Sequence, residues 1–167
     1  MKAISFQSDI LPLKNELFRM ALRITQNREE AEDVVQETML KVRKRREQWA
    51  QLESVEAFCL TICRNVALDR LRRMDYQQQS LDDDIDPADH SRSSNPEQMA
   101  IQNDRTRMVR QFISELPERL RTCMQLRDIE GKSYRDIAAI LDMPEQQVKV
   151  NIFRARQAVK KKISPFL

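Results

Sequence analysis

The chain has 167 residues, 29 Lys plus Arg against 26 Asp plus Glu, a formal net charge of +3 and a single glycine, Gly131. Phosphate-cradling loops and dinucleotide fingerprints need several glycines where backbone approaches a ligand or takes positive φ, so both are excluded. Cys59, Cys63 and Cys123 form no C-x-x-C pair and His90 is the sole histidine, which argues against a disulfide framework and a zinc site.

Helical periodicity runs through most of the chain. Leu13, Leu17, Met20, Ala21 and Ile24 mark a first stripe, Ala31, Val35, Thr38 or Met39, Val42 and Trp49 a second, and Phe58, Ile62 or Cys63, Val66 and Leu71 a third. Three such helices enclose one small core. Residues 1–75 carry 14 basic and 12 acidic groups, a net of +2. The next block, 76–104, holds one basic and seven acidic groups, a net of −6, with Pro87, Pro96 and few apolar residues. It has too little apolar surface to offset its ordering entropy and reads as a flexible acidic linker. Residues 105–167 are basic, 14 groups against seven acidic, a net of +7.

In that last block Val109, Phe112, Ile113 and Leu116 form a stripe that stops before Pro117, and Leu120, Cys123 and Met124 continue on a helix toward Gly131. Ser133 with Asp136 three residues on predicts a capped helix start, and Tyr134, Ile137, Ala138 and Leu141 share a face. Asp142-Met143-Pro144 breaks the chain, with Pro144 at the first helical position, before a stripe of Val148, Ile152, Ala155 and Val159. The fold class is therefore all-α: two small helical domains, 1–75 and 105–167, joined by the linker 76–104. The thiols read as buried in a reducing cytoplasm, and no apolar run approaches the roughly 18 residues of a membrane span. With no signal-peptide core in MKAISFQSDI, a soluble cytoplasmic protein is expected.

A short capped helix, a tight turn and a longer basic helix is the layout of a helix-turn-helix DNA reader. Opposite its apolar stripe the last helix carries Gln147, Lys149, Asn151, Arg154 and Arg156, the amide and guanidinium groups that suit base edges and phosphates. Arg64, Asn65, Arg70, Arg72 and Arg73 crowd the end of the third helix near Trp49 and Phe58, a mixture able to hold single-stranded nucleic acid. Taken alone, a core place for Trp49 and Phe58, with the arginines solubilising the helix end or favouring its dipole, ranks ahead of that reading. On the second helix Asp33, Gln36, Glu37 and Leu40 lie away from the apolar stripe and offer polar groups with one apolar anchor for a partner helix. No paired nucleophile and base, metal cluster or phosphate loop suggests catalysis, so neither an enzyme nor a cofactor is expected.

Three stretches, NREEAEDVVQETMLKV (27–42), FCLTICRNVALDRLRR (58–73) and LPERLRTCMQLRDIEGKSYRDIAAILDMPEQQVKVNIFRARQAVKK (116–161), give the chain its resemblance to bacterial RNA polymerase sigma factors of the extracytoplasmic-function group, in the sigma-70 family. The resemblance implies that Asp33, Gln36, Glu37 and Leu40 dock on the β′ clamp helices of core polymerase. It implies that Asn65, with the loop from Trp49 to Glu56, captures an unstacked base of the minus-ten element while Arg64, Arg70, Arg72 and Arg73 hold the melted strand. Residues 105–167 would read the minus-thirty-five element through Gln147, Lys149, Asn151, Phe153, Arg154 and Arg156, with the β flap as a second polymerase contact and an anti-sigma factor as a further partner. The alternative is a helix-turn-helix regulator that binds operator duplex without engaging polymerase.

Overall fold

Two short turns, Phe6–Ile10 and Leu11–Leu13, lead into α1 (Lys14–Thr25) of the computed structural model, which describes residues 3–80 and 104–167. With glycine absent, α1 ends on Gln26 in the left-handed region at φ 56°, its N–H closing on the Leu22 carbonyl. Asn27 then caps α2 (Arg28–Lys44), its side-chain oxygen accepting from the Glu30 N–H at 3.0 Å. Glu29 and Glu30 in the first turn and Lys41, Arg43 and Lys44 in the last match the helix dipole. The chain tightens at Arg46–Gln51 before α3 (Val55–Ser80), whose start is held by Ser54 Oγ accepting from the Ala57 N–H at 3.1 Å.

The second body begins with α4 (Asp104–Ser114), turns at Pro117 and continues through α5 (Glu118–Met124) into a wider turn over Gln125–Ile129. Gly131, at φ 74°, reverses the chain. Ser133 caps α6 (Tyr134–Leu141) by accepting from the Asp136 N–H at 3.1 Å. Asp142, left-handed at φ 51°, ends it, and Pro144 is the cap rather than the first residue of α7 (Glu145–Ile163). Every regular element among the described residues is a helix.

Two expectations shift. The second helix stops at Lys44, so Trp49 lies in the following turn, held by its indole N–H donating to the Val42 carbonyl at 3.1 Å. The acidic stretch lies outside the described residues from 81 to 103, but α3 runs through Ser80, so 76–80 are helical.

The larger difference lies in the core. Leu17, Met20, Ile24, Val34, Leu60 and Cys63 form the interior of the first body, and this interior is continuous with Cys123, Leu126, Ile137, Ile140, Val148 and Ile152 of the second. The seam forms where α1 meets α5 and α3 meets α6. The physical reason is that α5 and its extension are apolar on more than one side. Cys123 and Leu126 join the shared interior, whereas Leu120 and Met124 pack with Ile113, Leu116, Ala155 and Val159 in a smaller cluster between α4 and α7. Full burial of a leucine such as Leu126 is worth about 1.5–3 kcal/mol, so the seam is a substantial contact.

Polar groups close its edges. Arg121, only 6% exposed, donates from Nε to the Arg23 carbonyl at 2.7 Å, from Nη2 to that of Ile24 at 3.0 Å and from Nη1 to that of Leu116 at 2.7 Å. The first two belong to the last turn of α1, where carbonyls lack intrahelical donors. Arg19 forms a two-pronged pair with Glu130 at 2.8 and 2.7 Å, and Arg23 donates to Gln125 at 2.8 Å. Lys132 pairs with both Glu16 and Glu56. Bonding from Arg19 holds the Glu130 carboxyl below its ordinary pKa, while burial pushes the Arg121 and Arg23 guanidinium groups down from theirs.

Candidate nucleic-acid and polymerase interface

Three surfaces carry the residues singled out by sequence. On α2 the positions 33, 36, 37 and 40 follow helical spacing and form one strip: Asp33, Gln36 and Leu40 are exposed, Glu37 is half-buried. Leu40 is 57% exposed. A shallow groove of about 370 Å³ runs alongside, lined by Phe6, Val35, Gln36, Met39, Leu40 and Arg43. The guanidinium of Arg43 lies 4.1 Å from the Phe6 ring centre and forms one wall.

Arg70 reaches across from α3 to this strip, placing Nη1 3.1 Å from Glu30 and 3.6 Å from Asp33, and Nη2 3.8 Å from Glu37. The structure thus joins two groups that the sequence reading kept apart. Each pair is partly solvated and worth at most about 1 kcal/mol, so the arrangement orients the carboxylates more than it stabilises the fold. With three carboxylates around it, Arg70 faces α2 rather than an open strand.

The second surface lies on α3. Asn65, Arg72 and Arg73 are exposed, with Arg72 3.7 Å from Asp69. Arg64 is half-buried, and its Nε is enclosed without a hydrogen-bond partner. Trp49 is a correction. It is 8% exposed with its N–H satisfied by Val42, so its ring belongs to the core and offers no face for a base to stack on.

The third surface is the helix-turn-helix of α6 and α7. The turn is fixed by the left-handed Asp142 and by the Met143 N–H donating to the Ala138 carbonyl at 3.1 Å. Gln147, Lys149, Phe153 and Arg154 project outward from α7, and Phe153 is 63% exposed. The Lys149 ammonium lies 5.5 Å from the Tyr134 ring centre, and Arg127 is 4.3 Å from the same ring. A cluster of Lys160, Lys161 and Lys162 ends the helix.

Asn151 and Arg156 depart from expectation. Asn151 is 4% exposed, accepts from Gln147 Nε2 at 2.8 Å and directs its own amide at Cys123 Sγ (3.7 Å) and Met143 Sδ (3.6 Å). It ties α7 to α5 and the turn and does not face a groove. Arg156 forks onto Asp128 at 3.1 and 2.5 Å, a bond that raises its pKa from the ordinary arginine value. Both residues brace α7. Sequence reasoning also missed Arg121 and Lys132, because a cation on a basic block reads as solvated and nothing local marks one as buried.

Cys59, Cys63 and Cys123 are all buried and unpaired. Burial pushes the Cys59 thiol up to about 11 and that of Cys63 to about 12, which keeps both protonated and inert near neutrality. No group of His, Cys, Asp or Glu suited to a metal occurs among the described residues, and none of their helices is long and apolar enough to cross a membrane.

Comparison with known proteins places these surfaces in a common frame. The family described as sigma-70 region 2 matches residues 10–75, and that described as sigma-70, region 4, matches 106–159. The RNA polymerase sigma-H factor of Pseudomonas aeruginosa is 29% identical over 170 residues, covering 98% of this chain and 88% of that protein. The ECF RNA polymerase sigma-E factor of Escherichia coli (strain K12) is 32% identical over 142 residues, covering 81% of this chain and 74% of that protein. Among solved structures, the sigma factor RpoE in complex with the anti-sigma factor NepR, from Bartonella quintana, superposes with a TM-score of 0.76 at 22% identity, over 95% of this chain and 96% of that one. The chain belongs to the sigma-70 family of RNA polymerase sigma factors, in its extracytoplasmic-function group. Relatives matched across both bodies set aside the stand-alone operator-binding regulator.

Proposed function

We propose that this factor brings core polymerase to its promoters by dividing the work among the three surfaces. The α2 strip of Asp33, Gln36, Glu37 and Leu40 docks on the β′ clamp helices, with Leu40 as its apolar anchor and with Arg70 orienting the Asp33 and Glu37 carboxylates. Asn65 takes an unstacked base of the minus-ten element, and Arg64, Arg72 and Arg73 hold the melted strand. Unstacking costs a few kcal/mol per base, and a pocket for one base among cations offsets part of that cost. On the second body Gln147, Lys149, Phe153 and Arg154 enter the major groove of the minus-thirty-five element, with Lys160 and Lys161 toward phosphates.

The observation that carries this reading is the survival of an outward-facing polar strip on each of α2, α3 and α7 after the core has claimed Trp49 and Asn151. The first body, 1–75, takes core polymerase and the minus-ten element; 105–167 takes the minus-thirty-five element and the β flap, and 76–104 tethers them. No chemical step is assigned to the factor, which works in the cytoplasm beside the polymerase. That the similar RpoE was solved with its anti-sigma factor supports a partner of that kind here. Run-off transcription with core polymerase on a genomic DNA pool tests the proposal. Discrete starts that depend on the factor are expected, and an absence of any defined start overturns it.

A further inference from the structure

We propose that the amino-terminal turn ahead of α1 builds a second wall of the polymerase-docking surface, and that the groove it forms with α2 receives an apolar side chain of the β′ clamp helices with a carboxylate beside it. The proposal rests on the α2 strip being the polymerase contact, and it adds residues that belong to none of the three strips. The turn is pinned at several points. Ile10, 1% exposed, sinks into the core, while the Ser5 N–H donates to Asp9 Oδ2 at 2.8 Å and the Ser5 hydroxyl accepts from the Ser8 N–H at 3.4 Å. Arg43 of α2 lies over the Phe6 ring, and Pro12 restricts the backbone just after Leu11. Held in this way, Leu11 turns outward and is 44% exposed. It lines the same groove as the exposed Leu40, with Phe6 and Met39 alongside and the buried Val35 beneath. Two exposed leucines on one groove, each on a fixed element, are the kind of apolar patch that marks a contact with another protein.

Charge says what covers it. Lys14 and Arg43 are exposed on the groove, and among the described residues neither meets a carboxylate at ion-pair distance. The nearby acids are already engaged, Glu37 by Lys41 and Arg70 and Asp33 by Arg70. An apolar floor with unneutralised cations at its rim fits an apolar side chain next to Asp or Glu. A second copy of this chain fits poorly, because a two-fold contact centred here sets Lys14 and Arg43 against themselves. Gln36 and Leu40 belong both to the strip and to the groove, so a helix seated along the strip passes directly over Leu11.

Binding of the full chain to immobilised core polymerase, read by interferometry, tests the groove. Leu11→Asp and Lys14→Glu are each expected to weaken it about tenfold, with helical circular dichroism, Tm and binding to minus-thirty-five duplex as in the parent. If Leu11→Asp lowers Tm, the surface variant Lys14→Glu decides alone. Parental affinity in both variants, while Leu40→Asp loses the polymerase, overturns the proposal and leaves the α2 strip standing. Parental affinity in Leu40→Asp as well removes the strip and the groove together. A photoreactive phenylalanine analogue at position 11 is expected to crosslink to β′ in the holoenzyme, and capture of a different subunit overturns the assignment. Self-association of the free factor that Leu11→Asp abolishes, with affinity for core unmoved, gives the groove to a second copy and overturns it too.

Discussion

Replacing Asn151 by alanine separates a base-reading amide from a bracing one. The side chain is 4% exposed and has three partners: the exposed Gln147, a thiol and a thioether. Sulfur is a weak acceptor, and Gln147 recovers water when its partner leaves, so the loss leaves no strongly polar group buried without a bond. What remains is one ordinary hydrogen bond, about 0.5–1.5 kcal/mol, plus a cavity of a few heavy atoms, about 1 kcal/mol more. Asn151→Ala should therefore destabilise the factor by about 2 kcal/mol and lower Tm by roughly 4–8 °C for a chain of this size. Asn151→Leu fills the same space among Cys123 and Met143 and should lie within about 1 kcal/mol of the parent. Thermal denaturation followed by circular dichroism reads both numbers, and duplex binding at the minus-thirty-five element is measured well below the transition. Tenfold weaker binding by Asn151→Ala with an unchanged Tm would refute the bracing role and return the amide to the groove.

Leu40→Asp and Gln36→Ala should abolish or weaken pull-down of core polymerase without moving Tm, since both side chains are solvent-facing. Asn65→Ala should impair open-complex formation, read by permanganate footprinting, far more than closed-duplex binding. Arg154→Ala should cost about 1–3 kcal/mol on the cognate upstream duplex if bidentate to a base, with a smaller loss and a shallower salt dependence if it meets phosphate alone. Native protein should resist alkylation at Cys59, Cys63 and Cys123 until unfolded, as mass spectrometry after iodoacetamide would register. Because folding raises the Cys59 and Cys63 pKa values to about 11 and about 12, their protonated form favours the fold; that contribution is complete below about 8.5 and is lost as pH climbs toward 11–12, which urea titrations at rising pH would detect.

Much of the architecture is legible from residue spacing. The stripes Leu17–Met20–Ile24 and Val148–Ile152–Ala155 are buried as the 3.6-residue period requires, and Ser133 caps α6 as its Asp136 suggests. On α2 Asp33, Gln36 and Leu40 are exposed as their spacing implies, while Glu37 is half-buried. What spacing misses is polar burial. Asn151, Arg121 and Arg70 each look like surface residues in a one-dimensional pattern, and only the packing of α5 on α1, α5 on α7 and α3 on α2 reveals what they touch. For Trp49 the residues alone favour a core place and only the family resemblance draws it toward the minus-ten site; the bond to the Val42 carbonyl puts the ring in the core. The shared interior escaped as well, because an apolar stripe says which face is covered without saying by what.

Trp49 is the chain's sole tryptophan, sealed within the first body and distant in sequence from the second. Its ultraviolet emission is thus a native optical probe of residues near the amino-terminal end, while far-ultraviolet ellipticity sums over the whole helical ensemble. In a molecule whose halves melt as a single cooperative unit the two signals trace one superimposable curve; uncoupled halves trace two. The placement of one indole lets an unlabelled sample report whether its parts behave thermodynamically as one object.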